Sequence, residues 1–200
     1  MLDTDRLDPY VLWVLEKNGW TPERVFPQSS AWTAEIERLG HPPFDYGVQV
    51  LRSLGGLRFR EYHPRSYQKL VQGWRERGLP PERWPKAADI RRSCEAALSA
   101  LQRLGLDPDR YNGATFTFDA LDAARDEEVV LDLGLAQKAI GKPLYPIGTV
   151  EPDGLVFTAP DHGIYVLFND GIFSSGRCVE EFLHILFLRG HQPEEVYHID

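Results

Sequence analysis

The stretch GKPLYPIGTVEPDGLVFTAPDHGIYVLFND, residues 141–170, decides the fold that this sequence predicts. It contains three short apolar segments, at 144–150, 155–158 and 164–168, with turn residues at each joint. Short β-branched and aromatic runs bounded by Gly, Pro and Asp are typical of strands joined by tight turns. We therefore expect a three-stranded antiparallel meander here, with acidic residues in its turns.

Helical patterns lie on both sides of this meander along the chain. We expect a first helix that starts at Pro9, is capped by Asp8 and ends at Asn18. Further helices are predicted at about 31–39 after a Ser29 or Ser30 cap, at about 48–54, at 89–104, at about 127–140 and from about 176 to 190. Apolar residues recur at helical spacing in these segments.

Three more short strands are predicted, at 57–59, 115–118 and 171–173, and the polar tail 191–200 is predicted to be loosely held. Runs of helix that are segregated from runs of antiparallel strand point to the α+β class. At 200 residues the chain has the length of one domain, so we predict a single domain over 1–200.

Residues 61–112 differ from their surroundings because they are basic, aromatic and interrupted by prolines at first, and then clearly helical. The helix at 89–104 carries an apolar stripe of Ile90, Cys94, Leu98, Leu101 and Leu104. We interpret 61–112 as a helical insertion between two strands, packed onto the domain by that stripe.

Composition limits the function classes. The chain has 30 acidic and 22 basic residues and a net charge of -8, which argues against a general nucleic-acid binder. It has two distant cysteines and no apolar run of about 18 residues, so we expect no disulfide, no membrane span and a cytoplasmic location. An acidic surface suits either solubility or a basic protein partner.

No catalytic constellation emerges from the motifs. His184, His191 and His198 are spaced by seven, but Gly190 and Pro193 interrupt the helix that would align them on one face. We therefore expect no metal, no cofactor and no enzymatic activity. A hydrolase that uses the Asp161-His162 pair, or the acidic segment 119–132, stays open as an alternative.

Five sequence motifs occur in an order that resembles the pattern of a known family. They are GWTPERVF at 19–26, VLRSLGGLRF at 50–59, FTFD at 116–119, AIGKPLYPIGTV at 139–150 and LVFTAPDHGIYVL at 155–167. Together they resemble the SUKH superfamily, specifically the third subgroup of its bacterial immunity proteins. The departure from the family pattern is the block 61–112, where the family has a much shorter link.

The resemblance implies a SUKH-like α+β fold in which N-terminal helices pack on a largely antiparallel sheet, with a C-terminal helix. It implies a non-enzymatic cytoplasmic protein that binds and neutralises a cognate toxin domain, a nucleic-acid-directed deaminase or nuclease. A SUKH-type regulatory scaffold that binds endogenous proteins is the alternative.

Two sets of residues carry these expectations. The resemblance implies that seven residues determine the fold: Trp20, Arg24, Gly55, Gly56, Pro146, Ile147 and Gly148. Because of their charge and their position in turns, four acids expected to be exposed are candidate contacts to the partner: Glu151, Asp153, Asp161 and Asp170.

Overall fold

The computed structural model describes residues 2–81, 88–125, 127–169 and 171–198, with 127–132 described by their backbone only. Within these residues the chain forms eight α-helices and one seven-stranded sheet, which confirms the predicted α+β class. The helices are α1 (Pro9–Lys17), α2 (Ser29–Arg38), α3 (Asp45–Leu54), α4 (Ser66–Glu76), α5 (Ala88–Leu104), α6 (Ala120–Arg125), α7 (Glu127–Ile140) and α8 (Val179–Phe187). The strands are β1 (Arg58–Glu61), β2 (Ala114–Thr117), β3 (Tyr145–Val150), β4 (Gly154–Thr158), β5 (Ile164–Phe168), β6 (Gly171–Ser174) and β7 (Glu194–His198).

The strands are arranged in the sheet in the order of the chain, from β1 at one edge to β7 at the other, and every neighbouring pair is antiparallel. The predicted meander occupies β3 to β5, at the centre. Because successive strands reverse direction, the β3–β4 turn and the β4–β5 turn lie at opposite ends of the sheet. This arrangement decides which turn residues can act together.

Both faces of the sheet bury apolar side chains. Val156 and Val166 lie opposite each other on β4 and β5 and belong to the main core, which also contains residues of α1, α3 and α8. The neighbouring row, Leu155 and Leu167, points to the other face and forms a second cluster with residues of α7. The continuous apolar runs of the meander therefore reflect burial on two sides.

The segment 61–112 connects two strands that are direct neighbours in the sheet, β1 and β2. It carries α4 and α5, and α5 packs against α1. The face that α5 buries is rotated from the predicted stripe: Cys94, Ala97, Ala100 and Leu101 are buried, whereas Leu104 is 42% exposed. Alanines at the interface let the two helices approach closely, which a search for large apolar residues does not detect.

Several element boundaries differ from the predictions. The first helix starts at Pro9 with the Asp8 carboxylate accepting from the backbone N–H of Tyr10, as predicted. The second helix begins at Ser29 itself, without a side-chain cap from either serine. The segment after Asp119 forms the unpredicted short helix α6, where the Asp119 carboxylate accepts from the N–H of Asp122.

The C-terminal region departs most from expectation. The last helix begins at Val179 and not near Gly176, because Ser175 and Gly176 remain hydrogen-bonded to Ile164 in an extension of the sheet. The tail was predicted to be loosely held, and this is wrong for 194–198, which form β7 and pair with β6.

Candidate functional site

Four of the five motifs that carry the family resemblance meet in one place, which we call the motif junction (residues 19–26, 50–59, 116–119 and 146–148). At its centre, the Arg24 guanidinium donates to the carbonyl oxygens of Ser53 at 2.8 Å and Gly55 at 2.7 Å. These carbonyls lie at the C-terminal end of α3, where helix carbonyls lack intrahelical partners and a cation is favoured. Arg24 thus ties the loop after α1 to the end of α3.

The double glycine fits closely beneath this loop. A Cβ on Gly55 would lie 2.4 Å from the carbonyl oxygen of Leu51 and 2.6 Å from the Phe26 ring. Gly56 has a φ of +74°, a conformation that favours glycine, and also lies against Phe26. Trp20 is buried beside them, with its indole nitrogen 3.5 Å from the Ser53 hydroxyl.

The motifs at 116–119 and 139–150 join the same junction from the sheet. The backbone N–H of Gly56 donates to the carbonyl of Phe118, and the N–H of Phe118 donates to Leu57. On β3, Pro146 and Ile147 are buried, and a Cβ on Gly148 would lie 2.2 Å from the backbone oxygen of Thr117. Gly148 therefore permits β2 and β3 to approach at a point where the register between β3 and β4 shifts.

The four candidate contact acids do not form one patch. Glu151 and Asp153 lie exposed in the β3–β4 turn, and neither makes an ion pair with any described residue. Asp161 lies in the β4–β5 turn, at the opposite end of the sheet. Asp170 lies outside the described residues. Among the candidates that the structure describes, Glu151 and Asp153 thus share a surface and lack an ion pair with any described residue.

Asp161 forms an ion pair with Lys142 of the same chain. The Lys142 ammonium lies 2.5 Å from its carboxylate, and this hydrogen bond holds the pKa of Asp161 below its usual value. The neighbouring His162, at a φ of +75°, stacks on the Tyr46 ring at 3.9 Å. Asp161 and His162 therefore have separate partners, and the pair does not form the oriented base that a hydrolase would need.

A buried polar cluster that the sequence reading did not identify joins α1, β1 and α5. Glu61 is buried, and its carboxylate accepts two 2.8 Å hydrogen bonds from the Lys17 ammonium. Asn18 and Ser93 also bond to it, at 3.2 and 3.4 Å. The signal was available, because strand alternation in RFRE places Glu61 on the same side as the buried Phe59.

A tyrosine hydroxyl without a hydrogen-bond partner among the described residues, that of Tyr10, is buried near this cluster. Burial raises the pKa of Tyr10, and the Glu61 carboxylate raises it further. The hydroxyl therefore stays protonated at physiological pH. The cluster fastens the insertion to the domain, since its members come from α1, β1 and α5.

Of the three histidines that are spaced by seven, His184 and His191 line one depression, and His198 has a different partner. His184 accepts the backbone N–H of Asp8 on Nε2 at 3.0 Å, and the His191 ring centre lies 6.2 Å from that of His184. His198 is on β7 beside Glu195. Among the described residues, no group of three or more His, Cys, Asp and Glu side chains has an arrangement that could hold a metal ion.

Comparison of the chain with protein-family models, with curated proteins and with solved structures returns no match. Within the described ranges, no helix combines the length and the apolar character needed to cross a membrane.

Proposed function

We propose that this protein is a SUKH-type immunity protein, which binds a cognate toxin domain directed against nucleic acid, a deaminase or a nuclease, and neutralises it. It acts without catalysis and in the cytoplasm. Free, buried Cys94 and Cys178 are compatible with a reducing compartment.

The motif junction is the observation that carries the proposal. The motifs at 19–26, 50–59, 116–119 and 146–148, which are distant in sequence, contact one another through Arg24, Phe26, Gly55, Gly56 and Gly148. Motifs that match a family pattern by chance are not expected to contact one another in the folded chain. Their convergence supports the view that the family pattern reports a common structural unit.

The charge of the chain supports the same partner class. A toxin that binds nucleic acid presents basic side chains, and a protein with a net charge of -8 is attracted to them. Complementary potentials raise the association rate and disfavour wrong partners. In this proposal the unpaired acids Glu151 and Asp153 contribute to that attraction from the β3–β4 turn.

The test is a calorimetric titration of the purified protein against the enzyme domain encoded next to its gene, at about 50 and about 300 mM salt. We expect a 1:1 complex with a Kd of about 1–100 nM that weakens as salt rises, together with loss of toxin activity at equimolar ratio. Absence of binding by protein that unfolds cooperatively would contradict the proposal and favour a regulatory scaffold.

A further inference from the structure

A groove runs along α3 on the outer side of the loop at residues 20–28. It consists of two adjoining depressions, of about 450 Å³ and about 590 Å³, and Val25 and Arg52 line both. The first is also lined by Pro22 and Glu23, and the second by Pro27, Ala34, Glu37 and Val48. We call this feature the α3 groove.

Val25 is presented at the centre of the α3 groove by a pinned backbone. The residue before it, Arg24, is held by two carbonyl oxygens at the end of α3. The residue after it, Phe26, is buried, and its backbone N–H donates to the carbonyl of Arg52 at 2.7 Å. Val25 itself is 50% exposed. A hydrophobic side chain on a preorganised loop loses little conformational entropy when a partner covers it.

Three charges follow the α3 groove in the order acid, base, acid: Glu23 beside the first depression, Arg52 shared by both, and Glu37 beside the second. None of the three makes an ion pair with a described residue. On the same helix as Glu37, by contrast, Glu35 is paired with both Arg38 and Arg125. Unpaired charges around an exposed apolar centre are what a polar rim needs to recognise a complementary segment.

We infer that the α3 groove is the anchoring site for the toxin domain, an inference that rests on the proposed function. Its occupant is a segment of the toxin that carries a carboxylate for Arg52, a basic side chain on each flank for Glu23 and Glu37, and an apolar side chain that covers Val25. Apolar contact at the centre slows dissociation, whereas the overall acidic charge speeds association.

The experiment compares binding of the same adjacent-gene enzyme domain to three forms of the full chain. These are the natural protein, the groove variant Val25→Asp/Arg52→Glu and the control Val196→Asp/Arg103→Glu. The control places the same substitutions at an exposed valine on β7 and an exposed arginine on α5. All the altered side chains are exposed, so each form is expected to fold.

We expect the groove variant to bind about 30-fold or more weakly, mainly through faster dissociation, and the control to bind within about threefold of the natural protein. Hydrogen exchange in the complex should slow at residues 22–30 and 48–53. Equal binding by the groove variant and the control would overturn the anchoring site and leave the immunity function standing. Failure of the folded natural protein to bind at all would overturn both, so the two failures are distinguishable.

Discussion

Two lysine–carboxylate pairs in this molecule have similar geometry and opposite surroundings. Lys17 bonds to Glu61 at 2.8 Å and Lys142 bonds to Asp161 at 2.5 Å, and the two lysine side chains are 30% and 38% exposed. The acids differ sharply, because the Glu61 side chain is 2% exposed and that of Asp161 is 53% exposed. Distance alone therefore does not rank the two pairs.

The burial of the acid, and not the distance to its lysine, decides how much stability is lost when the lysine is removed. If Lys142 is removed, water solvates the Asp161 carboxylate at once. If Lys17 is removed, Glu61 keeps only the weaker donors Asn18 and Ser93 in a largely dry environment. Breaking a buried pair costs more than breaking an exposed one because the remaining charge is left without compensation.

The largest expected effect comes from Lys17→Met. We expect the free energy of unfolding to fall by about 3 kcal/mol, near the lower end of the range for a broken buried pair because Asn18 and Ser93 still bond to Glu61. Urea denaturation followed by circular dichroism measures it. The double variant Lys17→Met/Glu61→Gln should recover part of the loss, because the buried charge is gone. A loss no greater than that of Lys142→Met would contradict the comparison.

Arg24 provides an intermediate case, since its cation is paired with neutral carbonyl oxygens. Arg24→Gln removes two charge-assisted hydrogen bonds from the carbonyls of Ser53 and Gly55. We expect a loss of about 2 kcal/mol in urea denaturation. Arg103→Gln, at an exposed position on α5, is the matched control and should change stability by less than about 0.5 kcal/mol. Equal losses in the two variants would show that Arg24 does not hold the end of α3.

Histidines whose pKa is lowered in the fold should make stability depend on pH near neutrality. Burial lowers the pKa of His184, and it lowers the pKa values of His41 and His63 in the same way. A histidine whose pKa is depressed in the folded state contributes stability above its unfolded value of about 6.5. That contribution is lost as pH falls through the folded value. We therefore expect the free energy of unfolding to decrease from about pH 7.5 to about pH 5.5.

His184→Gln tests the contribution of His184 to this dependence, because a glutamine oxygen can still accept the N–H of Asp8 but does not titrate. The variant should unfold with a shallower dependence on pH over that range, as measured by urea denaturation at several pH values. His198→Gln, on the exposed β7, is the control. An unchanged slope in His184→Gln would rule out protonation of His184 as a source of the effect.

The smallest effect is expected at the exposed pair. Asp161→Asn should lower the free energy of unfolding by less than about 0.5 kcal/mol, because solvent screens an interaction between exposed groups. Lys142 holds the pKa of Asp161 below its usual value, so this contribution is present above about pH 4 and is lost as pH falls further. Thermal unfolding at pH 7 measures it, and a loss above about 1 kcal/mol would remove the distinction between the two pairs.

The local pattern was sufficient where an element is defined by its own residues. Asp8 and Pro9 start α1, and the alternation of apolar runs with turn residues gave β3 to β5. It failed at β7, whose residues EEVYH are all exposed and become a strand by pairing with the backbone of β6. It failed also at the start of α8, because hydrogen bonds to Ile164 keep Ser175 and Gly176 extended.

For the candidate site, sequence alone determined the net charge of -8 and the turn positions of Glu151, Asp153 and Asp161. It also identified the motifs that form the motif junction. Only the tertiary structure decided that Asp161 is paired with Lys142, that Glu61 is buried, and that Val25 and Arg52 share one groove. The physical reason is that turns and helix starts depend on neighbouring residues, whereas burial and ion pairing depend on which distant segments the sheet and the helices bring together.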